Sequence, residues 1–543
     1  MRATCYLVGA GPGDPSLVTA RGLDLIRRAD VIVYDYLVSD RLLDQAPAGA
    51  ELVYAGKKGF DRHVSQDQIN ALLIGKVREL ETRTGEAVKS TAEKTATAAA
   101  AVVDGDGPVL VRLKGGDPYV FGRGGEEALA LWAAGIPFEV VPGVTAGIAA
   151  PAYAGIPVTH RKMASSVTLV TGHEDPTRTE SSLDWPALAA LVARGDTVCF
   201  YMGVHALPRL VQRLQEEGAS PQTPVALVRW GTTPNQQTLV STLDSVSQDV
   251  ARAGFLAPAV IVVGRTIGLR DHLSWYERLP LFGRTVVVTR SHTQANGLVG
   301  RLRDLGADVR EVPAIAFEEP DSHADLDAGI ERLGTYDWLV FTSANGVQRF
   351  FDRLRTTFGK DARALAGVLV AAIGPGTARA LLGQGISADL VPDDYRAEGM
   401  FAAMRDYATC HVEQGLAGAR VLIPRAQEAR ETLPQLLREA GAQVDLAAAY
   451  RTVIPEGGDV EDLRAALAAG RVDAITFTSS STARNFCRMV GPDAAALMEG
   501  VAACSIGPIT SQTLRELDIE PAVEAARYTV GGLVSAIRDH YQT

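Results

Sequence analysis

The stretch VLVRLKGGDPYVFGRGG, residues 109–125, carries the strongest structural signal in this chain. Its first five residues, VLVRL, are typical of a buried β-strand. The strand stops at Gly115-Gly116-Asp117-Pro118, because proline restricts the residue before it and aspartate favours a turn. Two further glycines, Gly122 and Gly124, bracket Arg123. Since glycine lets a backbone approach a ligand closely, these turns predict a ligand at the end of the strand.

The composition indicates a globular protein of several domains. The 543 residues are too many for one core, and 47% hydrophobic with 22% charged residues is ordinary for a folded chain. No apolar run reaches the roughly 18 residues that span a bilayer, and the N-terminus lacks a secretory signal. The five cysteines form no C-x-x-C pair, which argues against a zinc ribbon or a disulfide framework. We therefore expect a cytoplasmic protein without a membrane segment or a bound metal.

The net charge of −11 argues against nonspecific nucleic-acid binding, which needs a basic surface. A small polyanionic substrate is compatible with it, because local clusters of charge matter more than their sum. Each basic cluster of the first half also fits a solvated surface, but adjacent glycine turns favour a binding role for the middle one. The clusters are Lys57-Lys58 with Arg62-His63, Arg112 with Lys114 and Arg123, and Arg161-Lys162.

Strand-like and helical segments alternate along the chain, which predicts an α/β fold with largely parallel strands. The first half has enough strands for two subdomains with a ligand between them. Residues 75–107, rich in Ala, Thr, Lys and Glu, are predicted to be an insertion that projects from the surface. Residues 271–283 are predicted to link the two halves.

The second half contains an internal repeat. Its motif pairs recur in the same order: GRTVVVTR (283–290) with GARVLIPR (418–425), FTSANGVQRFF (341–351) with FTSSSTARNFC (477–487), and AAIGPGTARAL (371–381) with CSIGPITSQTL (504–514). Tyr395 and Tyr528 follow the last pair at the same interval. Two copies at this spacing indicate a duplicated α/β unit, because a solenoid has shorter periods and more copies.

Taken together, the motifs of the first half resemble the tetrapyrrole methylase family, and within it the uroporphyrinogen-III C-methyltransferases. The glycine loop at 9–14 alone also fits a dinucleotide-binding domain or a plain tight turn. The second half, from about Gly283, resembles uroporphyrinogen-III synthase. The first resemblance is carried by GAGPGDPSLVT (9–19), VYDYLV (33–38), LKGGDPYVFGRGG (113–125) and PGVTAGIAA (142–150).

The two resemblances imply a domain layout. Residues 1–270 are expected to form a methylase of two subdomains, and residues 284–543 a synthase of two flavodoxin-like lobes. The synthase lobes are expected to interleave along the chain. One lobe takes residues 284–316 with 451–543, and the other takes residues 317–450.

The methylase resemblance implies S-adenosyl-L-methionine as cofactor, with Asp35 as proton acceptor and Lys57 as proton donor. Considered alone, Asp35 also fits a turn, Lys57 a surface lysine and Met202 a core residue. The residues implied to bind the cofactor are Pro12, Gly115, Gly116, Asp117, Val120, Thr145, Ala146, Met202 and Gly231. Because arginine binds carboxylates through paired hydrogen bonds, four basic residues are predicted to pair with substrate carboxylates: Arg112, Arg123, Arg161 and Lys162.

The synthase half has no sharp catalytic motif. Its turns Thr342-Ser343 and Thr478-Ser479 stand at predicted helix starts, where backbone N–H groups bind anions; capping the helices is the alternative role. The resemblance implies that Tyr450 assists the departure of a hydroxyl group from the substrate. Packing in the core is the alternative role of Tyr450.

The resemblances imply a bifunctional enzyme of tetrapyrrole biosynthesis. The second half is expected to cyclise hydroxymethylbilane to uroporphyrinogen III, and the first half to methylate it twice to precorrin-2, on the sirohaem or cobalamin branch. The family also implies a homodimer through the methylase half. Two alternatives stay open: a methylase that acts on a later corrin intermediate or on a non-tetrapyrrole acceptor, and a synthase-like half that binds tetrapyrroles or regulates without catalysis.

Overall fold

The computed structural model describes residues 2–56, 65–89, 107–172, 181–290, 292–411, 415–454 and 458–542. The chain folds as two compact units. The first comprises Met1–Arg284 with Leu302–Asp308 and Tyr541–Thr543, and the second comprises Thr285–Arg301 with Val309–His540. The described residues form four five-stranded sheets with helices packed on them, which confirms the predicted α/β class.

The first sheet is parallel throughout, because each of its strands is followed by a crossover rather than a hairpin. Its strand order is β3-β2-β4-β1-β5. The VLVRL run forms the middle strand of the five, fully buried as its composition predicts. The strands are β1 (Thr4–Gly9), β2 (Val31–Tyr34), β3 (Glu51–Tyr54), β4 (Val109–Lys114) and β5 (Phe138–Val141).

The second sheet is mostly antiparallel, unlike the parallel arrangement predicted. Only β6 and β7 run parallel; β8 pairs antiparallel with β9 and β10, and β10 with β7. The physical reason is the short connection between β8 and β9, which allows a hairpin but no crossover. The strands are β6 (Val167–Thr171), β7 (Thr197–Tyr201), β8 (Pro224–Arg229), β9 (Gln237–Thr242) and β10 (Ala259–Val263), in the order β6-β7-β10-β8-β9.

One helix of the first unit shows that the predicted surface insertion is wrong over part of its length. Helix α3 places Leu73, Val77 and Leu80 in the core, so its middle is not a projection. Their spacing of four and three residues is that of a buried helix face. Residues 90–106 of the predicted insertion lie outside the described residues. The helices are α1 (Ala20–Arg27), α2 (Asp40–Leu43), α3 (Gln66–Lys89), α4 (Gly124–Ala133), α5 (Ala146–Tyr153), α6 (Trp185–Arg194), α7 (Leu207–Glu216), α8 (Val246–Ala253) and α9 (Arg270–Leu273).

The remaining two sheets have the same core of parallel strands, as a duplicated unit requires. One has the order β12-β11-β18-β19-β20 and the other β13-β17-β16-β14-β15, where β13 is antiparallel to β17. The strands are β11 (Thr285–Val288), β12 (Asp308–Glu311), β13 (Ala316–Glu318), β14 (Trp338–Phe341), β15 (Leu369–Ala372), β16 (Arg420–Ala426), β17 (Gln443–Val453), β18 (Ala474–Phe477), β19 (Ala502–Ser505) and β20 (Pro521–Glu524).

The helices of this half begin as the repeat predicts. Gly374 and Gly507 precede α13 and α19, and the rings of Tyr395 and Tyr528 lie against these two glycines. Among the described helices, none combines the length and apolar character that a membrane crossing requires. The helices are α10 (His292–Asp304), α11 (Ala324–Glu331), α12 (Ala344–Thr356), α13 (Pro375–Gly383), α14 (Ala397–His411), α15 (Thr432–Glu439), α16 (Gly458–Ala468), α17 (Ser480–Val490), α18 (Ala494–Leu497), α19 (Pro508–Glu516) and α20 (Val530–Gln542).

Three loops meet at backbone distance on the carboxyl edge of the first sheet. A Cβ atom added to Gly143 would lie 2.2 Å from the carbonyl oxygen of Gly116 and 2.7 Å from Cα of Gly9. Real Cβ atoms do not approach backbone so closely, so only glycine allows the loops after β1, β4 and β5 to pack together.

We predict that Gly143→Ala destabilises the first unit by about 3 kcal/mol, because the backbone atoms it meets cannot move aside. Calorimetric unfolding of the intact chain measures this as a fall in the melting temperature of one transition. Gly75→Ala is the control: it lies within α3 with no atom in the way and is expected to raise stability by about 1 kcal/mol. Equal melting temperatures for wild type and Gly143→Ala would contradict the packing argument.

Candidate active site

A cavity of about 660 Å³ opens within the first unit, where loops of its two sheets meet. The first sheet contributes the turns at Pro12-Gly13 and Tyr36–Asp40, together with helix α5. The second sheet contributes the ends of β7 and β8 and the start of β10. The volume falls in the range of about 300–1,000 Å³ that small-molecule sites occupy. The position agrees with a ligand held between two subdomains.

Four of the nine residues predicted to bind a cofactor line this cavity: Pro12, Ala146, Met202 and Gly231. The other five are outside its lining: Gly115, Gly116, Asp117, Val120 and Thr145. Gly116 nevertheless shapes the wall. It exchanges two main-chain hydrogen bonds with Gly11, of 3.2 and 2.7 Å, and so fixes the turn that carries Pro12. All nine assignments stay predictions, and four of them have a place in the wall.

The backbone of the cavity wall is strained at Met202 and Trp230, whose φ angles are +53° and +48°. Residues with a side chain rarely adopt positive φ, and such strain concentrates at ligand sites. The side chain of Met202 is 55% exposed, so it is not a core residue. Trp230 was not predicted from the sequence, and its edge contacts Tyr36 across the cavity lining, with ring centroids 6.0 Å apart.

The carboxylate of Asp117 accepts main-chain hydrogen bonds from its own loop and from a neighbouring one. One carboxylate oxygen accepts hydrogen bonds from the main-chain N–H groups of Tyr119 and Val120, and the other accepts one from Gly143 at 3.0 Å. Both oxygens are therefore bound to the protein. Asp117 ties the loop after β4 to the loop after β5, and its direct contact with a cofactor stays a prediction.

Tyr201 joins the two sheets at the cavity. Its hydroxyl accepts a hydrogen bond from the N–H of Gly147 and bonds to the hydroxyl of Thr145, both at 2.6 Å. Thr145 and Gly147 lie at the start of α5, the helix that follows the last strand of the first sheet. A tyrosine from the second sheet therefore caps this helix. Burial raises the pKa of Tyr201, which keeps the hydroxyl protonated at neutral pH.

Asp35 belongs to a buried cluster of four charges at the carboxyl ends of β2 and β4. Its carboxylate lies 2.6 Å from Nη2 of Arg112 and 4.0 Å from Nζ of Lys114. Both cations also bind Oε1 of Glu127, at 3.2 and 2.9 Å. Glu127 and Arg112 are 0% and 1% exposed, whereas the side chain of Asp35 is 28% exposed. Asp35 is therefore the member of the cluster that faces outward.

The burial of Arg112 bears on its predicted role. Its guanidinium is buried and pairs with Asp35 and Glu127, so both of these carboxylates already occupy it, and its contact with a substrate carboxylate stays a prediction. Burial, with the neighbouring Arg112 charge, lowers the pKa of Lys114. The cluster carries two cations and two anions and is balanced only when all four are charged.

The remaining basic residues predicted to bind substrate carboxylates do not line the cavity. Arg123 is exposed, has a φ of +59° and pairs with Glu126 on the same helix start. Arg161 and Lys162 lie exposed in a turn after α5. Their contact with a substrate stays a prediction. Lys57, the predicted proton donor, lies outside the described residues, as does the rest of its basic cluster.

In the second unit, Tyr450 is buried and packs edge-on against Phe317, with ring centroids 5.4 Å apart. Its hydroxyl lies 3.0 Å from Oγ of Ser343. Ser343 in turn accepts a hydrogen bond from the N–H of Gly346 and caps α12. Burial raises the pKa of Tyr450, which keeps the hydroxyl protonated at neutral pH. Packing and a polar role therefore coexist at this residue.

The paired turns of the repeat cap helices, which is one of the two roles that the sequence left open. Ser479 caps α17 by accepting from the N–H of Thr482, as Ser343 caps α12. Thr478 lies half-buried just before that cap. Thr342 lies in the lining of a second cavity of about 370 Å³, at the carboxyl edge of the sheet that contains β14. Anion binding at these turns stays a prediction.

The comparison that decides the family spans almost the whole chain. The chain is 34% identical over 532 residues to the porphyrin biosynthesis protein HemD of Ruminiclostridium josui, which covers 98% of this chain and 97% of that protein. The chain belongs to this HemD family. In this chain, residues 4–247 match the family model of tetrapyrrole (corrin/porphyrin) methylases, and residues 296–535 match the family model of uroporphyrinogen-III synthase HemD. Both resemblances found in the sequence are thereby confirmed.

Other relatives match one half of this HemD-family chain. A S-adenosyl-L-methionine-dependent uroporphyrinogen III methyltransferase of Methanosarcina barkeri is 46% identical over 49% of this chain and 93% of that protein. A solved uroporphyrin-III C-methyltransferase of Thermus thermophilus, complexed with S-adenosyl homocysteine, is 32% identical over 49% of this chain and 93% of that one, with a TM-score of 0.37. A solved uroporphyrinogen III synthase from the same organism is 20% identical over 48% of this chain and 99% of that one, with a TM-score of 0.35.

Sequence reasoning missed Glu127 and Tyr201. A signal for Glu127 was available: Arg112 and Lys114 are two residues apart in a strand, so they share one face of an otherwise apolar segment. Two cations on a buried face require buried anions. Tyr201 had no such signal, because its hydrogen bonds to the α5 start join segments far apart in the chain.

We predict that Glu127→Ala destabilises the first unit by about 3–5 kcal/mol, because it leaves two buried cations with one acidic partner. The matched control is the next residue back, Glu126→Ala. Glu126 forms an exposed pair with Arg123, so its loss is expected to change stability by less than about 1 kcal/mol. Thermal unfolding of both variants measures the contrast, and similar losses in the two would contradict the buried-cluster account.

Proposed function

We propose that this chain is a bifunctional enzyme of tetrapyrrole biosynthesis. Its second unit cyclises hydroxymethylbilane to uroporphyrinogen III, and its first unit methylates that product twice to precorrin-2, which leads to sirohaem or cobalamin. The observation that carries the proposal is the cavity of the first unit. Its wall contains four residues at cofactor positions of the methylase motifs, two of them brought there by the second sheet.

The residues present fit S-adenosyl-L-methionine. Its adenosine part needs an apolar slot, and its amino-acid part needs main-chain donors and acceptors. Met202 and Ala146 offer the apolar side, while Pro12 and Gly231 belong to the loops that complete the wall. At Gly231 a Cβ atom would lie 2.4 Å from the Cβ of Ala150, so the backbone packs directly onto α5 there. When bound, this cofactor supplies an electrophilic methyl group on a sulfonium.

Asp35 is the group that we propose accepts a proton. When a fully substituted pyrrole carbon gains a methyl group, the cationic tetrapyrrole must lose a proton from another of its atoms to become neutral, and a positioned carboxylate speeds this step. The Asp35 carboxylate is held at one oxygen by Arg112, which fixes its orientation. Its partial exposure leaves it open to a substrate, whereas the rest of the cluster is closed. Lys57 remains the proposed donor.

For the second unit we propose that Tyr450 donates a proton to the departing hydroxyl of hydroxymethylbilane. The C–O bond breaks and water leaves. The resulting azafulvene carbon bonds to the last pyrrole, which is inverted during ring closure, and a proton lost from the ring system returns to the phenolate. The support is local: a protonated phenol held by Ser343 at the start of a helix. Positioning of a flexible substrate carries most of such a reaction.

The proposed partners are tetrapyrrole substrates and a second copy of this chain. Helix α4 offers an apolar face for that copy, since Leu129 and Trp132 are 67% and 73% exposed. The proposed location is the cytoplasm, where such intermediates are made.

We expect Asp35→Asn to bind S-adenosyl-L-methionine with unchanged affinity in calorimetry, because Asp35 does not line the cavity. Methyl transfer to supplied uroporphyrinogen III is expected to fall by about 10²–10⁴-fold, the usual effect of losing one acid–base group. Asp24→Asn, an exposed residue of α1, is the control and keeps full activity. Lost cofactor binding in Asp35→Asn would instead make Asp35 part of the cofactor site.

The bifunctional proposal is tested by supplying the intact chain with hydroxymethylbilane and S-adenosyl-L-methionine. We expect precorrin-2 as product, and uroporphyrinogen III when the cofactor is withheld. Spontaneous closure gives the type I isomer, so isomer analysis by chromatography separates catalysis from background. Type I product alone, with full methylation of supplied uroporphyrinogen III, would show that the second unit binds or regulates without catalysing.

A further inference from the structure

The second unit contains a cavity that none of the roles above uses. It has a volume of about 370 Å³ and lies where β14, β15 and β16 end. Thr342 and Ile373 follow the first two strands, and Arg425 lies near the end of the third. In open α/β sheets, ligands bind at the carboxyl ends of the strands, which is where this cavity is found.

Two helices begin at this cavity. Ala397 starts α14 and Thr432 starts α15, and both residues belong to the lining. The first N–H groups of a helix have no partner within it, and the helix dipole adds positive potential there. Two such helix starts at one cavity favour an anion.

Arg425 gives independent evidence for a ligand. The residue is 6% exposed, yet it lines the cavity and its Nη1 atom has no hydrogen-bond partner. Its Nη2 atom donates to the carbonyl of Ala429 and pairs with Glu431 at 2.9 Å. The guanidinium thus has hydrogen-bond partners at Nη2 and none at Nη1. A buried donor left unpaired is unfavourable, which an anionic ligand would correct.

The charges at the lining are asymmetric. Arg396, Arg425 and Arg430 contribute three positive charges to the lining, and Glu398 contributes one negative charge. Arg396 also pairs with Asp394 outside the lining. Arg430 is exposed and adds a second guanidinium to the lining that contains Arg425.

We propose that this cavity, with Arg425 as its central cation and Arg430 as its second, binds one carboxylate arm of the linear tetrapyrrole substrate. The inference rests on the proposed synthase function. The volume is near the lower limit for ligand sites, so it suits an acetate or propionate arm and not a whole tetrapyrrole. Arginine recognises the planar carboxylate through two parallel hydrogen bonds. The arm anchors the flexible chain while ring closure takes place elsewhere.

The test compares Arg425→Gln and Arg430→Gln with the control Arg438→Gln in the intact chain. Arg438 approaches the same Glu431 at 4.0 Å but does not line the cavity. We expect KM for hydroxymethylbilane to rise by about 10-fold in Arg425→Gln and Arg430→Gln, with kcat within about threefold of wild type. Arg438→Gln is expected to match wild type. Because Arg430 is exposed, its variant stays informative if Arg425→Gln fails to fold.

A second measurement separates this inference from the synthase function. Binding of uroporphyrin III, the stable oxidised product, is followed by its fluorescence in each variant. If wild type does not close the ring, the proposed synthase activity fails, while weaker uroporphyrin binding in the two arginine variants still supports the pocket. Unchanged KM and unchanged uroporphyrin binding in Arg430→Gln overturn it. A second result would also overturn the proposal: inorganic phosphate inhibits the wild type, and Arg430→Gln abolishes this inhibition without any change in KM. The cavity would then bind a free anion and not an arm of the substrate.

Discussion

The cavity of the first unit depends on a backbone contact that leaves no room for side chains. Gly9, Gly116 and Gly143 come from three loops at one edge of a parallel sheet, and each meets main-chain atoms of the others. Parallel strands bring their carboxyl ends to one edge, but ordinary loops there stand apart because of their side chains. Here the loops interlock, and Asp117 joins two of them through main-chain hydrogen bonds. The turn that carries Pro12 is thereby rigid, and a rigid turn can hold main-chain donors in place before a ligand arrives.

The charge cluster beside this edge, formed by Asp35, Arg112, Lys114 and Glu127, has a different physical explanation. Burying four charges is expensive, and the mutual attraction of the pairs only about repays their desolvation. Apolar residues of the same size would give equal or greater stability, so stability alone does not explain the cluster. Its geometry does: Arg112 and Lys114 share Glu127 in the interior, and both also approach Asp35, which alone is open. The interior pair of cations therefore holds one carboxylate in a fixed orientation at the surface of a rigid edge.

Sequence reasoning recovered the features that local chemistry determines. The VLVRL strand, the turn at Gly115–Pro118 and the serine caps at Ser343 and Ser479 all depend on residues close together in the chain. It failed where partners lie far apart. The β8–β9 hairpin follows from a short local connection, but no local pattern indicates that β10 inserts antiparallel between β7 and β8. The burial of Arg112 depends on Glu127, and that of Val77 depends on the sheet beneath α3. Asp117 was correctly placed in a turn, but the sequence did not indicate that its carboxylate also accepts main-chain hydrogen bonds from two loops.

The duplicated half shows how a repeat can acquire asymmetric chemistry. Both copies keep a serine cap after the equivalent strands β14 and β18, because each helix must satisfy its first N–H groups for its lobe to fold. The two copies differ at an earlier position: the equivalent motifs LVGRLRDLGADVREVPAI (298–315) and LPQLLREAGAQVDLAAAY (433–450) end at Ile315 and at Tyr450. Ser343 therefore bonds to a phenol, while Ser479 bonds to Ser481 and Thr482 within its own turn. A linear substrate with distinct ends gains nothing from two identical sites. One lobe keeps the cap for structure alone, while in the other lobe the same cap also holds the hydroxyl of Tyr450, the proton donor that we propose.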